Sequence, residues 1–250
     1  MRRLLRIFFI LGVVVLLGGG VLVGCLYRAA QQPPPFYEQA LKAPPEKQAE
    51  AGDELERQVL GLRNDLRNEG RFDVTFTHDQ INGWLAADLP EKFPELLPPG
   101  VHDPRIAFEP QTTRLACRFQ DSRISAVVSL EADVYLTESP NIVAVRLRDV
   151  RAGLLPIPLG QFLEEIAHHA TEAGLPLQWS ESEGDPLALI TIPPLIDEHA
   201  NTLLHLEAID VLDGKVRFAG RTEPLSTQRP GDGTSHHQAA DSGKSRATQF

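Results

Sequence analysis

The chain begins with an apolar segment that carries no charge from residue 7 to residue 27. Its 21 residues match the length of about 20 that a helix needs to cross the hydrocarbon core of a bilayer. The basic residues 1–6 precede it, and such a flank stays in the cytoplasm under the positive-inside rule. The pattern predicts a transmembrane signal-anchor over residues 1–28, with a cytoplasmic N-terminus and the remaining chain outside the cytoplasm.

A second interpretation of this segment remains open. Leu22-Val23-Gly24-Cys25 resembles a bacterial lipobox, in which Cys25 is lipidated and the preceding signal is removed. A cleavable signal has a shorter apolar region of about 7–15 residues, so the length of residues 7–27 favours a retained helix. Under both interpretations we expect a domain tethered to the bacterial inner membrane.

Two helices are predicted after a proline-rich stretch. Residues 29–45 are rich in proline, which is typical of a semi-rigid spacer. Over residues 46–68, apolar side chains recur every three or four positions, as in an amphipathic helix. Thr77 and Gln80 have the spacing of a capping box, which predicts a second helix. We expect Pro90 to end this helix, because proline breaks helices.

Further along the chain the apolar period changes to two, which indicates β-strands. A turn at residues 138–141 places Val134 opposite Val145 on the apolar side of a hairpin. On the polar side, it places Asp133 opposite Arg146. The same register pairs Ala132 with Leu147 and Glu131 with Arg148. Apolar residues and opposite charges both align, so two independent criteria predict one hairpin.

A third helix and a second hairpin are predicted towards the C-terminus. Residues 153–159 form an extended crossover, which leads to apolar side chains at helical spacing. These side chains are Phe162, Leu163, Ile166, Ala167 and Ala170. Residues 187–192 predict a strand, and Asp213-Gly214 between two alternating runs is a strong hairpin signal. This turn pairs Val211 with Val216, Ile209 with Phe218 and Asp210 with Arg217. Residues 223–250 are polar and predict a disordered tail.

Together these elements predict an α+β domain over residues 46–222, in which antiparallel strands pack one face against helices. The formal net charge of the chain is −10, although several of its basic residues flank the anchor. Nucleic-acid binding requires a basic patch, so an acidic domain argues against a nucleic-acid partner. It also argues against electrostatic docking on anionic lipid.

The sequence shows no catalytic or metal-binding motif. Glu131 and Asp133 lie about 6.6 Å apart on one strand face, but the facing arginines predict surface ion pairs instead of acid–base chemistry. His168 and His169 are adjacent on a helix and point about 100° apart, so they do not chelate one ion. Cys117 lies on an apolar strand face and is expected to behave as a small hydrophobic residue. We therefore expect a protein that is not an enzyme and holds no cofactor or metal.

The start of the second helix carries three more polar residues, His78, Asp79 and Asn82. Asp79 complements the positive end of the helix dipole. Asn82 lies one turn into the helix, where its amide is able to cap the helix or bridge strands. Both roles are structural.

Four segments together resemble a family of bacterial membrane-anchored proteins called YpmS-like. They are Thr77–Leu85, Ile124–Val150, Gly153–Leu159 and Ile209–Gly220. The resemblance covers most of residues 77–220, and it implies membrane anchoring and an α+β domain. It supplies no catalytic residues. Elongated bacterial lipid-binding folds of the tubular type are similar in ending with such a hairpin.

A tethered domain without a catalytic set predicts an extracytoplasmic binding or assembly module. The expected ligand is a lipid or another apolar molecule, held on the inward side of the strands. The candidate residues are Val128, Leu130, Val134, Val145 and Leu147. Two alternatives are a structural protein-interaction domain of the cell envelope and a hydrolase with an unrecognised site.

Overall fold

The computed structural model describes residues 28–122, 125–157, 176–194 and 202–225, together with residues 160, 163, 167, 168 and 171. The predicted anchor, residues 7–27, lies outside the described residues. The same holds for most of the predicted third helix and for the tail beyond residue 225. No helix formed by the described residues is both long and apolar enough to cross a membrane.

Helices and strands alternate irregularly along the described chain. The helices are α1 (Pro35–Leu41), α2 (Pro45–Leu66) and α3 (His78–Lys92), and a short 3-10 turn follows at Pro94–Leu96. The strands are β1 (Gly70–Thr77), β2 (Val101–Glu109), β3 (Thr112–Gln120), β4 (Ser125–Leu136), β5 (Ile142–Ala152), β6 (Leu155–Pro156), β7 (Leu177–Ser182), β8 (Asp185–Thr191), β9 (Thr202–Leu212) and β10 (Lys215–Pro224).

The strands form two antiparallel sheets, which confirms the predicted α+β class for the described part of the chain. The large sheet has the order β2-β3-β4-β5-β8-β7, and the short β6 pairs with β5. The small sheet has the order β1-β10-β9. Helices α2 and α3 pack against each other, α2 also contacts β1, and α3 runs along β2.

The two helices predicted from spacing and capping are present. Proline at the first position of α2 is compatible with a helix start, because the N–H that it lacks has no partner there. At the start of α3, the Thr77 hydroxyl accepts from the Gln80 N–H (3.2 Å) and the Gln80 side chain accepts from the Thr77 N–H (2.8 Å). The prediction that Pro90 ends α3 is wrong, since the helix continues to Lys92. So close to the C-terminus, a proline removes only one helical hydrogen bond, and the last turn still forms.

Two elements differ from the predictions. Residues 70–77, which were not predicted as a strand, form β1 with Phe72 and Phe76 buried on one side. Residues 35–41 lie within the predicted spacer, but they form α1, whose Tyr37 is 1% exposed. The Tyr37 hydroxyl donates to the carbonyl oxygen of Asp103 (3.0 Å). The prolines before and after α1 therefore delimit a helix that packs on the large sheet.

Both predicted hairpins have the predicted register. In the β4–β5 hairpin, Asp133 pairs with Arg146 (2.8 Å) and with Arg148 (2.6 Å). Glu131 faces Arg148 as predicted, yet its ion partner is Arg114 of β3 (3.0 Å). A carboxylate in a central strand has neighbours on both sides, and the sequence of one hairpin cannot show which of them it selects.

The two sheets share one apolar core. Phe76, Phe108, Val211 and Val216 are buried together at its centre, and they come from both sheets. Partly buried side chains around them are Leu55, Leu62, Val74, Ile81, Ile106, Val134, Ile209 and Phe218. Burying each large apolar side chain stabilises the fold by roughly 1.5–3 kcal/mol, so this cluster holds the helices and both sheets together.

Asn141 joins the sheets at a second point. It is buried in the β4–β5 turn with a positive φ of 55°. Its amide donates to the carbonyl oxygen of Leu204 (2.7 Å) and accepts from the N–H of Leu206 (2.8 Å). One side chain therefore satisfies two backbone groups of β9 in the small sheet.

We expect Asn141→Gly to lower the free energy of unfolding by about 2–4 kcal/mol, because two buried backbone groups lose their partner while the positive φ stays unstrained. Asn141→Ala should cost about 1 kcal/mol more, since a Cβ is disfavoured in the left-handed region. Urea denaturation of the full chain in detergent measures both values. A glycine variant as stable as the parent would show that the bridge does not join the sheets.

Candidate functional site

The five residues predicted to hold an apolar ligand lie on one face of the large sheet. Val134 faces Val145, and Leu130 faces Leu115 of β3. Each of the five is half-buried, whereas Leu115 is 37% exposed. The structure therefore brings these residues together, and their ligand role stays a prediction.

Other parts of the chain cover portions of this face. Val134 packs against the core cluster between the sheets. Towards the opposite edge of the large sheet, Trp179 of β7 faces Ala188, and Ala188 faces Val145. The Trp179 indole N–H donates to the carbonyl oxygen of Leu163 (2.9 Å), so residue 163 lies over the same face.

The described residues also form a cleft that the sequence did not predict. It has a volume of about 700 Å³ and opens between α1, α2 and the first turns of α3. The β2 residues Ile106 and Ala107 close it at the back. The helical lining residues include Phe36, Gln39, Ala40, Lys47, Gln48, Glu50, Glu54, Arg57, His78, Asp79, Gln80 and Asn82.

Two glycines let α2 and α3 meet closely beside the cleft. A methyl group on Gly83 would lie 2.7 Å from the backbone nitrogen of Gly52 and even nearer to the carbonyl oxygen of Gln48. A methyl group on Gly52 would lie 2.5 Å from the Asp88 carboxylate. The Asp88 side chain is able to move aside, but the backbone atoms that face Gly83 are not, so this helix crossing requires glycine at residue 83.

Asn82 fixes α3 to the edge of the large sheet. Its amide donates to the carbonyl oxygen of Ile106 (2.8 Å) and accepts from the N–H of the same residue (2.8 Å). Asn82 is buried, so losing either bond would leave a polar backbone group without a partner. Asn82 was predicted to cap the helix or bridge strands; it instead joins α3 to the single strand β2, and it defines one wall of the cleft.

Several positions on the outer edge of β2 are already occupied or lack a donor. Pro104 has no N–H, Asn82 occupies both backbone groups of Ile106, and the carbonyl oxygen of Phe108 accepts from Gly214 N–H (3.0 Å). Exposed edge strands are the usual place for a peptide to add as an extra strand. A ligand in the cleft therefore meets mainly side chains, because these backbone groups of β2 already have partners.

Several cleft side chains keep free hydrogen-bonding groups. Within the described residues, Gln39, Lys47 and Gln48 make no side-chain hydrogen bond. His78 is half-buried, and its Nδ1 is buried without a partner. Its Nε2 lies 3.6 Å from Asp79 Oδ1, which is too long for a hydrogen bond. The side chains of Gln39, Lys47 and Gln48 are therefore available to a ligand, whereas His78 Nδ1 is shielded from solvent.

Helix α1 forms the remaining wall and is held by Tyr37. Burial, together with the nearby Asp103 carboxylate, raises the pKa of Tyr37 to about 12. Next to it, Arg105 is 5% exposed, and its Nε is buried without a hydrogen-bond partner. Burial lowers the pKa of Arg105. Burying a cation without a full set of hydrogen bonds costs free energy. The surface that Tyr37 and α1 cover is therefore partly polar.

The other predicted candidates lie elsewhere. Asp133 and Glu131 are engaged by arginines on the polar face of the large sheet. Burial raises the pKa of the Cys117 thiol, which disfavours the reactive thiolate. His168 lies far along the chain from the cleft. Across the described residues, no group of three or more histidine, cysteine or acidic side chains is placed to hold a metal ion.

Comparisons of the chain with protein-family models, curated proteins and solved structures found no match. The family resemblance drawn from the four sequence segments therefore stays a prediction. What the cleft does has to be argued from its own geometry.

We expect Gly83→Ala to lower the free energy of unfolding by about 1–3 kcal/mol, because the added methyl group forces α2 and α3 apart. Gly61→Ala is the matched control, since it lies in α2 with no atom within 4 Å of the added group. That change should stabilise the helix by roughly 0.5–1 kcal/mol. Equal effects of the two substitutions in urea denaturation would contradict the close crossing.

The Tyr37 hydroxyl should ionise only near pH 12, because burial raises its pKa to about 12 in the folded protein. In the unfolded chain a tyrosine ionises near pH 10, so folded stability should fall as the pH rises through this interval. A titration of tyrosinate absorbance measures it, with Tyr37→Phe as the reference. A titration without a high-pH component, or one that Tyr37→Phe leaves unchanged, would mean that α1 does not bury this hydroxyl.

Proposed function

We propose that the protein is a membrane-anchored binding module of the cell envelope and that the cleft between α1, α2 and α3 holds its ligand. The observation that carries this proposal is the cleft itself, with a volume of about 700 Å³ and unpaired polar side chains in its lining. Small-molecule sites commonly have volumes of about 300–1,000 Å³ and a few converging polar groups. The cleft agrees with this volume, and its lining is more polar than that of a usual small-molecule site.

The lining favours a polar ligand without a large net charge. Amide side chains, one lysine and carboxylates offer both donors and acceptors, and Phe36 offers an apolar surface. Glu54 and Arg57 compensate each other at 2.6 Å, and hydrogen bonds from Arg57 lower the pKa of Glu54. A lipid chain would displace the water that hydrogen-bonds to these groups and would offer no hydrogen bonds in return, which is unfavourable. A short peptide or saccharide segment would satisfy them.

Anchoring supports the same proposal from the sequence. The uncharged segment of residues 7–27 ends one residue before the described chain begins. Helix α1 starts at Pro35 and provides a wall of the cleft. The ligand would therefore be held by a membrane-tethered domain, on the extracytoplasmic side that the basic N-terminus predicts.

A second candidate is an apolar-ligand module that uses the face of the large sheet. The specific observation in its favour is the row of half-buried aliphatic residues next to the exposed Leu115. A protein-interaction domain is the alternative to both ligand-binding functions. A hydrolase is a further alternative, and it would have to use acid–base chemistry, because the described lining residues offer the carboxylates of Glu50, Glu54 and Asp79 but no hydroxyl or thiol nucleophile.

Filling the cleft should abolish ligand binding. In Ala43→Trp, a large side chain occupies the cleft. The matched control is Ala49→Trp, in which the same side chain projects from an exposed position of α2 that does not line the cleft. The full chain is purified in detergent, and co-purifying molecules are identified by native mass spectrometry and extraction. Thermal-shift screening with peptide and saccharide libraries then identifies ligands for the emptied protein.

The proposal predicts a polar ligand that binds the parent and Ala49→Trp but not Ala43→Trp. A stoichiometric lipid that survives Ala43→Trp and is lost in Leu130→Glu would support the apolar face instead. If no molecule co-purifies and no library compound distinguishes the two tryptophan variants, the cleft is not a binding site.

A further inference from the structure

One end of the large sheet collects several connections of the chain. Val101 of β2 pairs with Phe119 of β3, and the N–H of Gln120 donates to the carbonyl oxygen of Gly100 (2.8 Å). The N–H of Gly153 donates to the carbonyl oxygen of Val127 near the start of β4 (2.6 Å). The loop of residues 93–100 and the turn after β5 therefore lie at the same end, which we term the entry end.

The chain arrives from the predicted anchor at this end. The N–H of Leu154 donates to the carbonyl oxygen of Ala29 (2.9 Å). Gly153 is in such close contact that a Cβ would lie 2.6 Å from the carbonyl carbon of Ala30. The described chain begins at Arg28, one residue before Ala29, so it enters the domain at this end. If residues 7–27 cross the bilayer, its surface adjoins the entry end.

Two large apolar side chains project at the entry end. Leu96 is 61% exposed in the loop after α3, and Leu154 is 54% exposed in the turn after β5. Single exposed leucines are ordinary on soluble surfaces. Their position is informative here, because both lie at the end of the domain where the chain leaves the predicted membrane segment.

The loop that carries Leu96 is held in place at both of its ends. The Phe93 ring packs on Trp84 of α3 with a centroid distance of 5.9 Å. Gly100 has a positive φ of 83° and a carbonyl oxygen that accepts from Gln120. Three prolines, Pro94, Pro98 and Pro99, restrict the backbone between these points. The exposed leucine is thus presented by a constrained loop, so docking it on a partner orders little additional chain.

We propose that the entry end is a membrane-contacting edge, in which Leu96 and Leu154 insert into the interfacial layer of the same lipid bilayer that holds the anchor. This inference rests on the proposed anchoring and adds an orientation to it. The partner is the apolar part of the lipid, since the domain is acidic and the contacting side chains are leucines. Insertion fixes the domain upright and turns the opposite end, with His78 and Gly214, towards the aqueous side.

The test uses full-length protein in phosphatidylcholine vesicles that contain spin-labelled acyl chains. Cys25 and Cys117 are replaced, and an environment-sensitive fluorophore is attached at Leu96→Cys. The matched control is Leu212→Cys, because Leu212 is 40% exposed and lies beside the Gly214 turn at the opposite end. Both positions are exposed, so labelling does not disturb the core. Co-flotation with vesicles is measured on the same samples.

The inference predicts that the label at residue 96 shifts to the blue and loses emission to acyl-chain quenchers, whereas the label at residue 212 does neither. Leu154→Asp should weaken quenching at residue 96 while co-flotation persists. Flotation without quenching at residue 96 would overturn the membrane-contacting edge and leave the anchoring intact. Failure to float would overturn both proposals. A label buried only at high protein concentration would mean that the edge meets a second copy of the chain.

Discussion

The cleft depends on one constraint, the fixed position of α3 against the edge strand β2. The Asn82 amide supplies both hydrogen bonds that Ile106 would otherwise lack, and Ile81 of the same helix packs into the shared core. The capping box at Thr77 sets where α3 begins, so it also sets where Asn82 falls. Any shift of the helix along β2 would leave buried backbone groups unpaired, which costs more than a lost surface contact.

The same arrangement limits what the domain is able to bind. Partners occupy several outward backbone groups of β2, which disfavours strand addition, and α2 and α3 are in close backbone contact at Gly52 and Gly83. Recognition is left to the side chains of α1, α2 and the start of α3. Helix α1 is the wall that we expect to detach most easily, because the Arg105 guanidinium beneath Tyr37 is buried and its Nε has no hydrogen-bond partner. It also lies closest in the chain to the predicted anchor, so it connects the membrane to the cleft.

Local chemistry explains which features were predictable from the sequence. Aligned charges and apolar residues determined the β4–β5 register, and Asp213-Gly214 determined that of β9–β10. The capping box located the start of α3 because its two partners are three residues apart. The strand β1 does alternate, at Phe72, Val74 and Phe76, but it is short and lies directly between two helices. Its partner β10 is far away in the sequence.

Features that depend on distant parts of the chain were not predictable. The prolines around α1 are typical of a spacer. The helix is held in place by the hydrogen bond from Tyr37 to Asp103, which is distant in the sequence. Glu131 forms an ion pair with Arg114 of β3, a strand outside the predicted hairpin. The cleft joins residues 36–57 to residues 78–83 and to β2, and no motif in any one of them indicates a site. The segment that begins at Thr77 has a recognisable capping box, and its residues His78, Asp79 and Gln80 line the cleft.

Amide hydrogen exchange tests the central claim most directly. Full-length protein purified from its native membrane is compared before and after its bound molecules are stripped away. The account predicts that amides in residues 36–50 and 78–83 exchange faster after stripping, while those of the β4–β5 hairpin do not change. Unchanged exchange around the cleft, or a change confined to the hairpin face, would contradict it.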